Sequence, residues 1–154
     1  MSGPLVFVDT NVLVYLRDSQ DPGKQQAAAE WMGLLWETRS GRISPQVLQE
    51  YYVTVTARLR PGLSREEARE DVLALRSWHP PHPTPALLEG AWQEEDRWGL
   101  SFWDSMIVAS ARLQGCAVLL TEDLSHGQDL DGLLVTSPFR SSPEETGLGR
   151  ASFR

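Results

Sequence analysis

A chain of 154 residues, 41% hydrophobic and 23% charged, has the size and composition of one ordinary domain with a single sizeable core. No apolar run approaches the roughly 18–20 residues that span a bilayer, the N-terminus lacks a secretory-signal pattern, and a lone cysteine, Cys116, excludes an internal disulfide and suits a reducing cytosol. The formal charge of −7 argues against a protein that coats nucleic acid by bulk electrostatics, but not against an enzyme that acts on it.

Leu5-Val6-Phe7-Val8 reads as a short buried strand, and an acid, Asp9, stands where it stops. Thr10 or Asn11 can cap the helix that follows through Val12, Leu13, Tyr15 and Leu16. The polar cluster 18–23 turns the chain into a second helix, about Lys24 to Arg39, with Ala28, Trp31 and Leu35 at helical spacing. After a short extended piece at 40–43, Ser44 and Pro45 form the start of a third helix, Ser44 as N-cap and Pro45 in the first turn. Its stripe is Val47, Leu48, Tyr51, Tyr52, Val55 and Leu59, with Glu50 among them. Ser64-Arg65-Glu66-Glu67 is a capping box, and the acids of the fourth helix, Asp71 among them, read as a solvated face paired with Arg65, Arg69 and Arg76.

The proline-rich stretch 78–83 can hold at most a short edge strand, with His79 and His82 exposed. Thr84-Pro85 opens a fifth helix to about Trp98, in which Leu87, Leu88, Ala91, Trp92 and Glu95 alternate with the acids Glu89, Glu94 and Asp96, and Gly99 ends it. Ser101-Phe102-Trp103-Asp104 opens an apolar sixth helix that Gly115 stops. Ala117-Val118-Leu119-Leu120 is a second buried strand ending in Thr121-Glu122-Asp123, and Leu133-Leu134-Val135 is a last short one. Residues 1–139 form one domain, and 140–154, rich in Ser, Pro, Glu, Gly and Arg, read as a flexible tail. Strands alternating with helices predict an α/β fold with a mainly parallel sheet covered on both faces.

Taken singly, the acids have ordinary explanations. Asp9 is a possible helix cap, Asp104 the third residue of a capping box, Asp123 the start of a turn and Glu50 a wet helix acid. Together they suggest more. Ligands of open α/β sheets bind beyond the carboxyl ends of the strands, where Asp9 and Asp123 would share one edge if their strands are neighbours. Two carboxylates about 4 Å apart repel by about 4 kcal/mol at an effective dielectric near 20. Such a cluster needs a shared proton or a hard cation such as Mg²⁺ or Mn²⁺. No Cys/His set offers a zinc site.

Four segments carry a family resemblance: residues 6–13 (Val-Phe-Val-Asp-Thr-Asn-Val-Leu), 44–52 around Glu50, 101–111 around Asp104, and 119–128 around Asp123. In order and spacing the chain resembles the PIN-domain family, in particular its VapC-type ribonuclease toxins. The resemblance implies a three-layer α/β/α fold with six to seven helices. It implies that Asp9, Glu50, Asp104 and Asp123 bind one or two Mg²⁺ or Mn²⁺ ions, with Asn11 and Thr121 as supporting residues. The implied activity is metal-dependent endoribonuclease cleavage of RNA in the cytoplasm, with a small antitoxin as partner, self-association as a homodimer and no membrane contact. Adjacent Glu122 makes the fourth ligand ambiguous; motif alignment favours Asp123. Two other readings stand beside it. One is a non-catalytic protein-interaction module on the same scaffold. The other is an aspartyl-nucleophile phosphatase, which fits poorly because Asn11 stands where a second Asp is usual.

Overall fold

The computed structural model describes residues 3–147. It has four short strands, β1 (Val6–Val8), β2 (Gly41–Arg42), β3 (Val118–Leu120) and β4 (Leu134–Thr136). They form one wholly parallel sheet in the order β2-β1-β3-β4. Six α-helices complete the three-layer fold: α1 (Thr10–Tyr15), α2 (Pro22–Thr38), α3 (Pro45–Val53), α4 (Arg65–Leu75), α5 (Pro85–Trp98) and α6 (Phe102–Leu113). Among the described residues no helix is long and apolar enough to cross a membrane.

The strands are apolar throughout because they are enclosed: Val6, Phe7, Val8, Leu119 and Leu120 have no exposed surface. Trp31, Leu13, Leu35, Ile43 and Leu130 close over them. Contacts join α1 with α2 and α3, and α3 with α4, while α5 and α6 pack on each other. In-register pairing of Val6, Phe7 and Val8 with Val118, Leu119 and Leu120 brings the carboxyl ends of β1 and β3 side by side. The Asp9 N–H continues that ladder to the Leu120 carbonyl at 3.0 Å.

Helix starts follow the short polar residues. Ser44, Ser64 and Ser101 accept from the N–H groups of Val47, Glu67 and Asp104, and Ser64 and Glu67 complete the capping box. Some expectations are corrected. Of the caps the sequence offers for α1, Asp9 rather than Thr10 or Asn11 is the one used, since the strand ends so close to the helix that its carboxylate reaches Thr10 N–H at 2.8 Å. Asp21 caps α2, which therefore begins at Pro22. Thr84 stands at the start of α5 but makes no capping bond, and residues 78–83 form no strand. The last strand begins one residue later than its apolar run suggests, at Leu134.

Asp71, expected on a solvated face, and Glu94 bind across the fold. Asp71 takes a paired contact from Arg17, at 2.6 and 2.9 Å, and a 2.5 Å bond from the Tyr51 hydroxyl, which ties α4 to the turn after α1 and to α3. Burial pushes its carboxyl up, but Arg17 and Tyr51 outweigh this and hold it below the usual carboxylate range. Glu94 is buried and accepts from Arg112 and Trp98, which locks α5 to α6.

Residues just past 139 pack against α2. Trp31 donates from its indole nitrogen to the Ser141 carbonyl at 3.0 Å, Pro143 is buried, and Pro143–Thr146 makes a 3₁₀ turn against α2. A buried indole N–H needs an acceptor, and this segment supplies it. Residues 148–154 of the expected tail lie outside the described residues.

Cys116 is buried, and burial pushes its thiol up to about 12. The thiolate is the reactive form, so the folded protein at pH 8 is expected to react with iodoacetamide at least tenfold more slowly than the unfolded chain. Equal rates by mass spectrometry would contradict this placement.

Candidate functional site

The site forms at the carboxyl edge of the sheet, where β1 runs into α1 and β3 runs into its following loop. Asp9 is only 8% exposed, and both of its oxygens are used. Oδ1 accepts from Thr10 N–H at 2.8 Å, and Oδ2 accepts from the Thr121 hydroxyl at 2.8 Å and, more weakly, from the Asn11 amide at 3.4 Å. Its carboxyl is pushed up to about 6. Desolvation is the largest cause; the bonds from Thr121 and Thr10 oppose it, and the charges of Asp123 and Glu50 add to it. Among the described residues no ion pair reaches Asp9.

Asn11 joins the two strand ends. Its amide nitrogen donates to Thr121 Oγ1 and to Asp123 Oδ2, both at 3.0 Å, and its Oδ1 accepts from the Glu122 N–H. Thr121, wholly buried, gives its hydroxyl proton to Asp9 and accepts from the Asp123 N–H. The Thr121 hydroxyl and the Asn11 amide each serve more than one partner, which fixes the Asp9 carboxylate and the Asp123 backbone together. Glu50 arrives from α3, where Thr10 Oγ1 donates to its Oε1 at 3.1 Å. Asp123 and Glu50 are exposed. They face a groove of about 600 Å³ shared with Asn11, Tyr15, Thr54 and Arg58.

The structure thus brings Asp9, Asp123 and Glu50 to one place, with Asn11 and Thr121 between them. Asp104 is different. In a parallel sheet, the helix that precedes β3 must start at the edge where β3 ends. Asp104, in the first turn of α6, therefore lies at the carboxyl edge. Its side chain makes no hydrogen bond with the other acids among the described residues, and it contributes no charge effect at Asp9. Among the described residues no three acids stand close enough to hold an ion as a ready-made cluster.

The residues nevertheless fit a hard divalent cation. The donors are all oxygen, the buried carboxylate is raised by burial and by two like charges, and an ion that keeps several waters does not need a tight all-protein cage. Glu122 is held elsewhere. Tyr15 donates to its Oε1 at 2.7 Å and Lys24 to its Oε2 at 2.9 Å, so adjacent Glu122 and Asp123 have separate partners. His126 accepts the Ser137 N–H on Nδ1 at 2.9 Å, which commits it to the loop.

Two contributions are not legible in the sequence. Thr10 reads there only as a helix cap, yet its hydroxyl holds Glu50, and the Lys24–Tyr15 pair holds Glu122 aside. A hydroxyl next to Asp9 is the one available signal for the first. The second joins residues about a hundred positions apart and leaves none.

Residues 6–127 match the family model described as PIN domain. In fold the chain is similar to a solved structure titled "Toxin-antitoxin complex from Klebsiella pneumoniae", with a TM-score of 0.61 and 18% identity over 86% of this chain and 97% of that one. It is also similar to the structure of VapBC-1 from nontypeable Haemophilus influenzae, with a TM-score of 0.55 and 16% identity over 87% and 98%. No curated protein matches the chain. At such identities the two structures speak for the fold alone.

Proposed function

The chain belongs to the PIN domain family, and from that premise we propose that it is a divalent-metal-dependent endoribonuclease, the toxin of a toxin–antitoxin pair. One observation carries the reading. Asp9 is a buried carboxylate with no ion-pair partner among the described residues, hydrogen-bonded into place beside Asp123 and Glu50 at the head of an open groove. An acid raised first by burial and then by like charges beside it is a functional-site signal, because a merely structural buried acid would be paired.

In this proposal Asp9, Asp123, Glu50 and Asp104 hold one or two Mg²⁺ or Mn²⁺ ions. A bound divalent ion supplies an acidified water and charge stabilisation for phosphodiester hydrolysis. The protein's own part is positioning. Thr10 N–H and the Thr121 hydroxyl fix Asp9, Asn11 keeps Asp123 at a set place beside it, and Thr10 Oγ1 steers Glu50 toward the same groove. The proposed setting is the cytoplasm. The proposed partners are a small antitoxin, after the complexes named above, and a second copy of the chain.

The test is a titration of purified protein with MgCl₂ and MnCl₂, following both melting temperature and cleavage of a single-stranded RNA. The expected result is a melting temperature that rises with metal, by about 2.7 kcal/mol of stabilisation at a hundredfold excess over Kd, together with cleavage that EDTA stops. A non-catalytic interaction module predicts neither effect, and that outcome would remove the nuclease reading.

A further inference from the structure

Resting on the nuclease reading, we infer that Arg58 is an RNA-positioning residue that grips a phosphate flanking the cleaved bond, and that a π-helical turn aims it there. The groove is lined by four acids, Asp18, Glu50, Glu122 and Asp123, and by one cationic residue, Arg58, among the described residues. In a chain of net charge −7, a polyanion entering this groove needs a local counter-charge. Lys24 cannot serve, because Glu122 and Tyr15 hold its ammonium. Arg58 is exposed and makes no ion pair among the described residues, so its guanidinium is available for bidentate phosphate contact.

The backbone explains how Arg58 comes to face the groove. Glu50, Thr54 and Arg58 are spaced four apart and all line it. In an unbroken α-helix each four-residue step drifts by about 40°, so Arg58 would sit roughly 80° off the line of Glu50. The chain instead widens to a π turn over Thr54–Arg58, with Leu59 N–H bonded to the Thr54 carbonyl at 2.8 Å. A turn with more residues per revolution takes up that drift. Side-chain and backbone contacts brace it: Thr56 Oγ1 donates to the Tyr52 carbonyl at 2.7 Å, and Leu63 N–H bonds the Val55 carbonyl at 2.9 Å. Gly62 permits that closure, because a Cβ there would meet the Leu59 and Val55 carbonyl oxygens at 2.8 and 2.9 Å. Four residues of α-helix and the wider, shorter π turn set Arg58 along the helix from Glu50 by at most roughly 12 Å of rise. That distance suits a neighbouring phosphate rather than the one undergoing hydrolysis.

The experiment compares wild type, Arg58→Ala, Arg58→Glu and Arg58→Lys on one single-stranded RNA with Mg²⁺ or Mn²⁺ present, at several salt concentrations. For Arg58→Ala the expected result is a KM raised about tenfold with kcat within twofold of wild type. Its plot of log(1/KM) against log salt should be shallower by about 0.7, the share of one phosphate contact on a single strand. Arg58→Glu should raise KM further, Arg58→Lys should restore most of it, and melting temperatures should agree within 2 °C because the side chain is exposed. If wild type cleaves RNA with metal but Arg58→Ala keeps its KM and salt slope, the inference is overturned and the nuclease reading stands. A loss in kcat alone also overturns it, since that places Arg58 on the reacting group. If wild type fails to cleave, both fall together.

Discussion

Replacing Asp9 with Asn is expected to lower metal-dependent RNA cleavage by at least a hundredfold while leaving the metal-free protein as stable as wild type, or more so, at pH 8. Both effects follow from the same burial. Asn keeps the shape of the side chain but removes the negative charge that a hard cation needs from its ligand. That charge is also costly to the fold, because the carboxyl is raised to about 6 by desolvation first and then by Asp123 and Glu50. A carboxyl raised in the folded state stabilises the fold fully below its ordinary value near 4, and that stabilisation is lost as pH rises through about 6. The metal-free wild type is therefore expected to lose up to about 3 kcal/mol between pH 4 and 7. The Asp9→Asn protein escapes this loss but gives up part of the hydrogen bonding to Thr10 or Thr121, about 1 kcal/mol. Thermal melts in EDTA from pH 4 to 8, run beside cleavage assays, separate the two effects. Full cleavage by the mutant would refute the site; a clearly lower melting temperature at pH 8 would refute the electrostatic account.

Arg112→Ala is expected to be strongly destabilising although it lies outside the site, at about 3 kcal/mol. Arg112 makes two bonds to Glu94, at 2.5 and 3.1 Å, and Glu94 is only 8% exposed. The alanine leaves that carboxylate buried with only the Trp98 indole as donor. An uncompensated buried charge costs far more than the pair contributes when intact. For a chain of this size the melting temperature should fall by roughly 6–12 °C. The double mutant Glu94→Gln, Arg112→Ala should recover more than half of the loss, because the neutral amide can still accept from Trp98. A loss below about 0.5 kcal/mol for the single change would mean that the pair behaves as a surface ion pair.

Glu94 and Asp71 show where reading the chain alone falls short. Both stand among other charged residues on amphipathic helices, and helical spacing does not say which acid of such a set turns inward. Their partners, Arg112 and Arg17, come from other helices or the turns beside them. The final segment misleads for a related reason. Its composition is that of a loose terminus, but the indole nitrogen of Trp31 needs an acceptor, and the Ser141 carbonyl is folded back to meet it.

The chain's own residues determined the order of strands and helices, the parallel sheet and most helix starts. Those rest on local physics: continuous apolar runs for buried strands, short polar side chains at N-caps, and glycine at Gly99 where α5 ends left-handed. The family resemblance carried by four acid-bearing segments also implied Asp9, Glu50, Asp104 and Asp123 as one set. Only the tertiary structure decided how nearly they meet. Asp9 and Asp123 are drawn together because β1 and β3 pair in register and Asn11 bridges their ends, and Glu50 is drawn in because Thr10 reaches across from α1. Asp104 shares the edge through topology but bonds to none of them. Convergence of distant carboxylates depends on strand order and on hydrogen bonds between residues up to 112 positions apart, and no local pattern in the sequence encodes such a contact.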